Sequence, residues 1–431
     1  MIRMTSIAVA TLCTVMACKH EGTRGPVAGR AGGAEATATS AGAARTETGA
    51  GMKAADAAGV AAQDGDRAAT ALASWSLPRL VAQGGLGDGL FALPAVSHRG
   101  LTLVPIATTE PSTEDYLVLD DAMAEGLVEI AEAGPVNTLT LTNRSERPLF
   151  LLAGEVVIGG KQDRIIGKNT IVAGKHTEAL PVFCVEHGRW SGRQATFASA
   201  GALAHSTLRE KASFDGQGDV WNEVADKNVK RRTANGTDTY RQTAAQQTGA
   251  ELGAWDETFD AQLGAIPAEL RPLVVGYAVA VGGEVVALDV FDSPRLFGRL
   301  DRKLRRSYYA EAIDVAAPAG APVPDATSVR AFMARADAAP DQPVYDNDEA
   351  ETINQLGDGA ASTRVMAKRA GGGKGKPVFK SVQKRAKVEA DRAADGLRDP
   401  DNANEQVQRR IAPQRIAPMR PPMRRMPAPR P

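Results

Sequence analysis

Closely spaced, short β-type segments constrain the fold of this chain most. Between residues 136 and 186 at least five apolar segments follow one another, separated by glycine-rich or polar turns. In VNTLTLTN (136–143), Leu139 and Leu141 alternate with polar residues, which is typical of a half-buried strand. Such spacing favours an antiparallel sandwich or a barrel-like sheet.

Helical patterns follow from about residue 203. Residues 218–232 and 240–266 are predicted helices, the second interrupted by glycine. A hairpin with Gly282-Gly283 at its turn comes next, and Ser293-Pro294 then predicts the start of another helix. In that helix, one apolar face consists of Leu296, Leu300 and Leu304. The predicted fold is therefore α+β, an antiparallel sheet followed by helices and a C-terminal hairpin and helix.

The two ends of the chain lack this patterning. Residues 18–74 are rich in Ala, Gly and Thr, and residues 315–431 change from Ala/Pro-rich to basic and Pro-rich. Aromatic residues make up only 5% of the chain, so neither end can bury a core of its own. We predict one globular domain over 75–314 between a disordered linker at 18–74 and a disordered tail at 315–431.

The N-terminus predicts export and lipidation. Arg3 precedes an apolar segment (7–16) that is too short to span a membrane, as in a signal peptide over 1–17. Val15-Met16-Ala17-Cys18 is similar to a bacterial lipobox, although Met16 stands where a smaller residue is usual. Cys18 would then carry the acyl chains (palmitate among them) that anchor the protein in the cell envelope. Lys19 favours the outer membrane over the inner one. The alternative is a plain signal peptide cut after Ala17.

Cysteines and motifs indicate neither a metal nor a cofactor. Cys13 lies in the signal segment and Cys18 at the lipidation site, which leaves Cys184 alone. The sequence has no CxxC, no paired Cys/His spacing for zinc, and no P-loop, dinucleotide, HExxH or GxSxG motif.

The C-terminal charge is strongly one-sided. Residues 364–431 hold 18 Lys/Arg against 6 Asp/Glu, whereas the whole chain has 51 of each. In an exported protein such a segment would meet anionic lipid, lipopolysaccharide or wall polymer rather than intracellular nucleic acid. A solvated tail without a partner is the alternative.

A chemically mixed segment, LPVFCVEHGRW (180–190), carries most of the candidate site. Because side chains alternate along a strand, Glu186 shares the face of Cys184 and His187 does not. Cys184 is either a nucleophile or a packed thiol. A buried Glu186 would need a cation or backbone donor, with Lys161, Arg164 and Arg189 as candidates.

Two further groups complete the candidate set. In GEVVIGGKQDR, Glu155 precedes Lys161, Gln162 and Arg164, which could hold a phosphate or carboxylate or form internal salt bridges. Arg189 and Trp190 could wall a pocket by stacking and phosphate binding, or cap the core at a strand end.

These motifs resemble the ARG (ADP-ribosylglycohydrolase) and rhodanese-phosphatase-superfamily-associated protein domain over about residues 100–314. The matching positions are Gly154-Glu155, Lys161-Gln162-x-Arg164, Cys184-Val185-Glu186-x-Gly188-Arg189-Trp190, Trp221 and Phe291-Asp292-Ser293-Pro294. Asp163 stands where the family usually has Asn, and Gly192 where an aromatic residue often follows. The resemblance implies a fold and a set of positions, and it implies no particular reaction.

Three functions remain open on this basis. The first is an envelope lipoprotein whose domain binds a small anionic or nucleotide-like ligand or a protein partner. The second is a structural envelope spacer with a polyanion-binding tail. The third is a hydrolase or transferase that uses Glu155, Glu186 or Cys184, which requires Glu155 and Glu186 to meet in one cleft.

Overall fold

The computed structural model describes residues 76–192, 195–315, 320–368 and 374–385, and these residues form an α+β fold as predicted. Its eight helices are α1 Leu77–Gly84, α2 Leu119–Ala124, α3 Ser206–Phe214, α4 Gln217–Arg231, α5 Arg241–Thr248, α6 Ala250–Leu263, α7 Pro294–Ala312 and α8 Ala326–Asp337. None of the helices in these ranges is long and apolar enough to cross a membrane.

Nineteen strands accompany the helices within the described ranges. They are β1 Gly85–Gly87, β2 Leu90–Ala92, β3 Val96–His98, β4 Leu101–Thr108, β5 Leu117–Val118, β6 Val128–Glu132, β7 Thr138–Asn143, β8 Leu149–Leu151, β9 Glu155–Gly159, β10 Arg164–Ile166, β11 Thr170–Val172, β12 His176–Cys184, β13 Phe197–Leu203, β14 Val274–Val281, β15 Glu284–Phe291, β16 Gln342–Asp346, β17 Ala350–Leu356, β18 Ala360–Lys368 and β19 Lys374–Lys384. They form sheets of ten, six and three strands.

The six-stranded sheet closes into a small barrel. Its strand order is β13-β9-β10-β12-β7-β6, all antiparallel, and a bridge between Ala131 and Thr196 joins the two outermost strands. Next to this bridge the Glu132 amide donates to the Ala195 carbonyl at 2.8 Å. The predicted barrel-like sheet is thereby confirmed.

Alternate residues of these strands fill the barrel. The interior is apolar and consists of Val128, Ile130, Leu139, Leu141, Val157, Ile166, Leu180, Val182 and Phe197. Since residues two apart point to the same face, Arg164 and Cys184 belong to this inner face at one end of the barrel. Outward-facing residues such as Val156 and Ile165 pack instead against α3, α4 and α5.

The ten-stranded sheet contains the predicted hairpin. β14 and β15 pair in antiparallel fashion, with Gly282 and Gly283 at positive φ in the turn. Ser293 caps α7, its hydroxyl accepting from the Leu296 amide at 3.3 Å. The predicted face of this helix (Leu296, Leu300, Leu304) is buried in the largest core cluster.

The boundary predicted at residue 314 is wrong. Residues 326–384 contain α8 and β16 to β19, and β19 lies between β15 and β18 inside the ten-stranded sheet. These strands bury Thr, Asn, Ser and Ala besides a few large apolar residues. Because the buried residues are mostly small or polar, the sequence did not indicate that the strands are buried. The predicted signal, lipidation site and linker, and the last part of the tail (386–431), lie outside the described residues.

Several cations assigned to the basic tail are neutralised inside the fold. The pairs are Arg364–Asp341, Lys368–Asp346, Lys380–Asp337, Lys384–Glu284, and Arg385 with both Glu210 and Asp215. Residues 364–385 therefore carry these charges in ion pairs, and polyanion binding by the basic tail stays a prediction.

Candidate functional site

The family motif residues gather where β9 ends, β10 begins and β12 ends. Arg164 lies opposite Cys184 on β12 and opposite Val157 on β9. Just beyond β12, Glu186 forms an isolated bridge with Thr239, which brings in the loop before α5. Residues distant in the sequence thus share one end of the barrel.

Asp163 is the centre of this network. Its side chain is fully buried, and Arg241 binds it with two contacts, Nε to Oδ2 at 2.9 Å and a terminal nitrogen to Oδ1 at 2.6 Å. Thr239 donates to Oδ2 at 3.0 Å and the Gly159 amide to Oδ1 at 3.1 Å. Because Arg241 compensates the charge, the fold accommodates this buried acid.

Glu186 is buried and fully partnered. Its Oε2 accepts from the Asp163 amide at 3.1 Å and from Arg189 Nε at 2.8 Å, and its Oε1 accepts from the Thr237 hydroxyl at 3.1 Å. This cation and backbone donor are the kinds of partner that the buried carboxylate was expected to need.

Arg189 holds the 188–192 segment against the β9–β10 turn. Besides Glu186, it donates to the Gly160 carbonyl at 2.9 Å and to Asp163 Oδ1 at 3.3 Å. A Cβ on Gly192 would come within 1.8 Å of the Gly160 carbonyl oxygen. This close approach leaves no room for a side chain at position 192.

Arg164 differs from the other cations of the network. It is fully buried, yet no carboxylate lies within salt-bridge distance among the residues that the structure describes. Its Nε donates to the Val136 carbonyl at 3.2 Å and one terminal nitrogen weakly to the Asp163 carbonyl at 3.4 Å, while the other has no partner. Nearby, Gln162 donates to the Glu186 carbonyl but its own Oε1 is unpartnered.

Cys184 is a packed residue in this arrangement. Its side chain is 2% exposed, and burial raises the pKa of the thiol to about 11 despite the Arg164 charge. Gln217 brackets its backbone, accepting from the amide and donating to the carbonyl, both at 2.8 Å. A thiol with this pKa supplies little thiolate at neutral pH, which argues against a nucleophile.

Lys161 and Trp190 remain at the surface. Lys161 is exposed and only its backbone amide is tied down, to Glu132 at 2.7 Å. Trp190 is 37% exposed, whereas His187 packs edge-on against Trp221 with ring centres 4.4 Å apart. The side chains of Lys161 and Trp190 are thus accessible to solvent.

Glu155 belongs to a different network. It begins β9, whereas the Arg189 contacts are at the other end of that strand, about 13 Å away along the backbone. Its Oε1 accepts from Lys303 Nζ at 2.8 Å and its Oε2 from the Leu152 amide at 3.0 Å. Burial raises the pKa of Glu155, and Lys303 opposes that shift. Among the described residues, Glu155 and Glu186 share no hydrogen-bond partner and belong to separate networks.

The candidates from the sequence did not include Thr237, Thr239, Arg241 or Lys303, which hold the carboxylates of these networks. Arg241 lies 78 positions from its partner Asp163, and Lys303 lies 148 from Glu155. Neither stands in a local motif, and only tertiary contacts reveal them. No group of three or more His, Cys, Asp or Glu in the described ranges is arranged to hold a metal ion.

Comparison with known proteins gives one match. No curated protein and no solved structure matches the chain. A family model, however, matches residues 90–372, about two-thirds of the chain, including the barrel, the motif network and most of the strands added after residue 314. The chain therefore belongs to the family of the ARG and Rhodanese-Phosphatase-superfamily-associated Protein domain.

Proposed function

We propose that this domain is a binding module for a small anionic ligand, a phosphate or nucleotide-like group, at the Arg164 end of the barrel. The observation that carries the proposal is the buried guanidinium of Arg164, which lacks a carboxylate partner among the described residues. An uncompensated buried charge costs several kcal/mol, and an anion would remove that cost.

The surroundings of Arg164 fit this role. An oxyanion binds guanidinium through two parallel hydrogen bonds, and Arg164 has one terminal nitrogen entirely free. Asp163, Glu186, Arg189 and Arg241 neutralise one another, so they leave the Arg164 charge available. Trp190 and Lys161, both exposed, could contact the remainder of a nucleotide-like ligand.

We infer that access to the buried Arg164 requires the neighbouring 188–192 segment to move. This segment covers the β9–β10 turn and is held chiefly by Arg189, whose side chain is 26% exposed. A ligand that reaches Arg164 would exchange some of these Arg189 contacts for contacts with itself.

A structural role is the second candidate, because Asp163, Glu186, Arg189 and Arg241 are mutually paired. Calorimetric titration with inorganic phosphate, AMP and adenosine distinguishes the two. The binding role predicts saturable binding of phosphate or AMP, weaker binding of adenosine, and loss of anion binding in Arg164→Gln. The control Arg144→Gln alters an exposed arginine paired with Glu129 elsewhere and should bind as the wild type does. Absence of anion binding to the wild type, or equal binding to Arg164→Gln, would leave only the structural role.

We further propose that the protein acts in the bacterial cell envelope, anchored through a lipid on Cys18. The lipobox-like Val15-Met16-Ala17-Cys18 supports this proposal. Cys18→Ser should move the protein out of the membrane fraction and remove the mass of the acyl chains. An unchanged fraction and mass would refute the anchor.

Residues 386–431 are proposed as a second, salt-sensitive contact with anionic lipid, lipopolysaccharide or wall polymer. From residue 409 to the end the sequence carries Arg residues and no acid. Unlipidated protein with and without these residues should differ in retention on anionic vesicles at low salt. Equal retention would rule out the contact.

A further inference from the structure

A second site lies on the barrel wall between β6 and β13, the two strands at which the barrel closes. The two strands are bridged at Ala131 and Thr196, and beyond this bridge they part to form a cleft of about 520 Å³. Helix α2 covers one side of it. Met123, Val128 and Phe197 give the cleft apolar walls, and Asp120 and Ser199 add polar groups.

The carboxylate of Asp120 is fixed in position. Ser199 Oγ donates to its Oδ1 at 2.5 Å and Lys303 Nζ contacts its Oδ2 at 2.7 Å, while the side chain remains 35% exposed. Each carboxylate oxygen can accept more than one hydrogen bond, so Asp120 retains acceptor capacity toward the cleft.

The charge behind the cleft is unbalanced. Lys303 is 8% exposed and contacts both Asp120 and the buried Glu155, so one ammonium group serves two carboxylates. At the rim, Glu129 and Arg144 form a pair at 2.8 Å and neutralise each other. Residues 119–126 add Asp121 and Glu125 and contain no Lys or Arg. Acidic side chains therefore outnumber basic ones around the cleft.

We propose that this cleft binds a small organic amine with an apolar body. The ammonium group would donate to Asp120, and the body would lie against Met123, Val128 and Phe197. A positive charge is complementary to the unbalanced carboxylates, and the apolar walls remove hydrocarbon surface from water. This site is separate from Arg164, and the amine proposal does not depend on the proposed anion site.

The test uses 2-phenylethylamine, with 2-phenylethanol and 3-phenylpropanoate as neutral and anionic analogues, measured by calorimetry on the full chain. The amine should bind saturably, and the alcohol and the carboxylate at least about tenfold more weakly. Asp120→Asn should weaken amine binding by about tenfold or more, because it removes the charge and nearly keeps the shape. Asp341→Asn, which removes an exposed carboxylate that does not line the cleft, should bind as the wild type does.

A blocking variant keeps the test decisive if Asp120→Asn fails to fold. Ala198 is exposed and lines the cleft, so Ala198→Trp should abolish amine binding while the far-ultraviolet circular dichroism is unchanged. Phosphate binding at Arg164 should persist in both variants, which separates the two sites. The proposal is overturned if the amine does not bind at millimolar concentration, if the alcohol binds equally well, or if Ala198→Trp binds the amine normally.

Discussion

The Asp163–Arg241 pair allows the contribution of the barrel-end network to stability to be measured. Asp163 is fully buried, while the Arg241 side chain is 49% exposed. Two unit charges 4 Å apart near a protein surface interact by about 4 kcal/mol. Half exposure of the guanidinium and its loss of side-chain freedom reduce this value, so we expect a coupling of about 1–2 kcal/mol.

A double-mutant cycle isolates that coupling. The variants are Asp163→Asn, Arg241→Gln and the double substitution, compared by urea unfolding followed through tryptophan fluorescence. Asp163→Asn should lose about 2–3 kcal/mol, because it also weakens the contact with Arg189, and Arg241→Gln about 1–2 kcal/mol. The double variant should be more stable than the sum of the two losses predicts by about 1–2 kcal/mol.

An exposed pair serves as the control for this cycle. Arg144 and Glu129 lie at a similar distance, 2.8 Å, but are 55% and 44% exposed, so their coupling should stay below about 1 kcal/mol. If the losses in the two single variants add to within about 0.5 kcal/mol, Arg241 does not compensate the buried charge of Asp163.

Three other properties are open to direct measurement. Burial lowers the pKa of His205 to about 3 despite Glu223 at 2.7 Å, so the neutral ring is favoured in the fold. In the unfolded chain His205 takes up a proton below about pH 6.5, whereas in the fold it stays neutral. The free energy of unfolding should therefore fall by about 2 kcal/mol between pH 6.5 and pH 5. In His205→Gln, urea titrations should show a smaller change of this free energy with pH. Cys184 should react slowly with a thiol reagent at pH 8 in the folded protein and rapidly in urea. Rapid labelling of the folded protein would instead support a role of Cys184 as a nucleophile. A chain ending at residue 314 should lose cooperative unfolding, because without β19 one edge of β15 has no hydrogen-bonded neighbour. A normal unfolding transition would show that the later strands are not needed for folding.

The sequence predicted those parts of the fold that depend on local patterning. Strand alternation, the Gly282-Gly283 turn and the Ser293 cap act over a few residues, and the structure contains all three. β17 and β18 escaped prediction because they bury residues such as Thr352 and Ser362, whose hydrogen bonds form only when the sheet is complete.

The same limit applies to the candidate sites. The family motifs led to Glu186 and Arg189, three residues apart, and the structure pairs them. Asp120 and Lys303 have no local signature, because the contact that joins them depends on how α2 and α7 pack around the barrel. Contacts between elements that are distant in the sequence therefore could not be predicted from the sequence alone.

If Arg164 is a buried cation that lacks a compensating anion, Arg164→Met should not destabilise the protein. Met has a similar apolar length, and even a buried ion pair can be replaced by packed apolar side chains with an effect that is neutral or stabilising by about 1–4 kcal/mol. Urea unfolding in phosphate-free buffer should therefore find Arg164→Met at least as stable as the wild type, and added phosphate should stabilise only the wild type. A loss of about 3–5 kcal/mol without phosphate, together with equal phosphate effects on both proteins, would show that the fold already satisfies Arg164 and would contradict the claim.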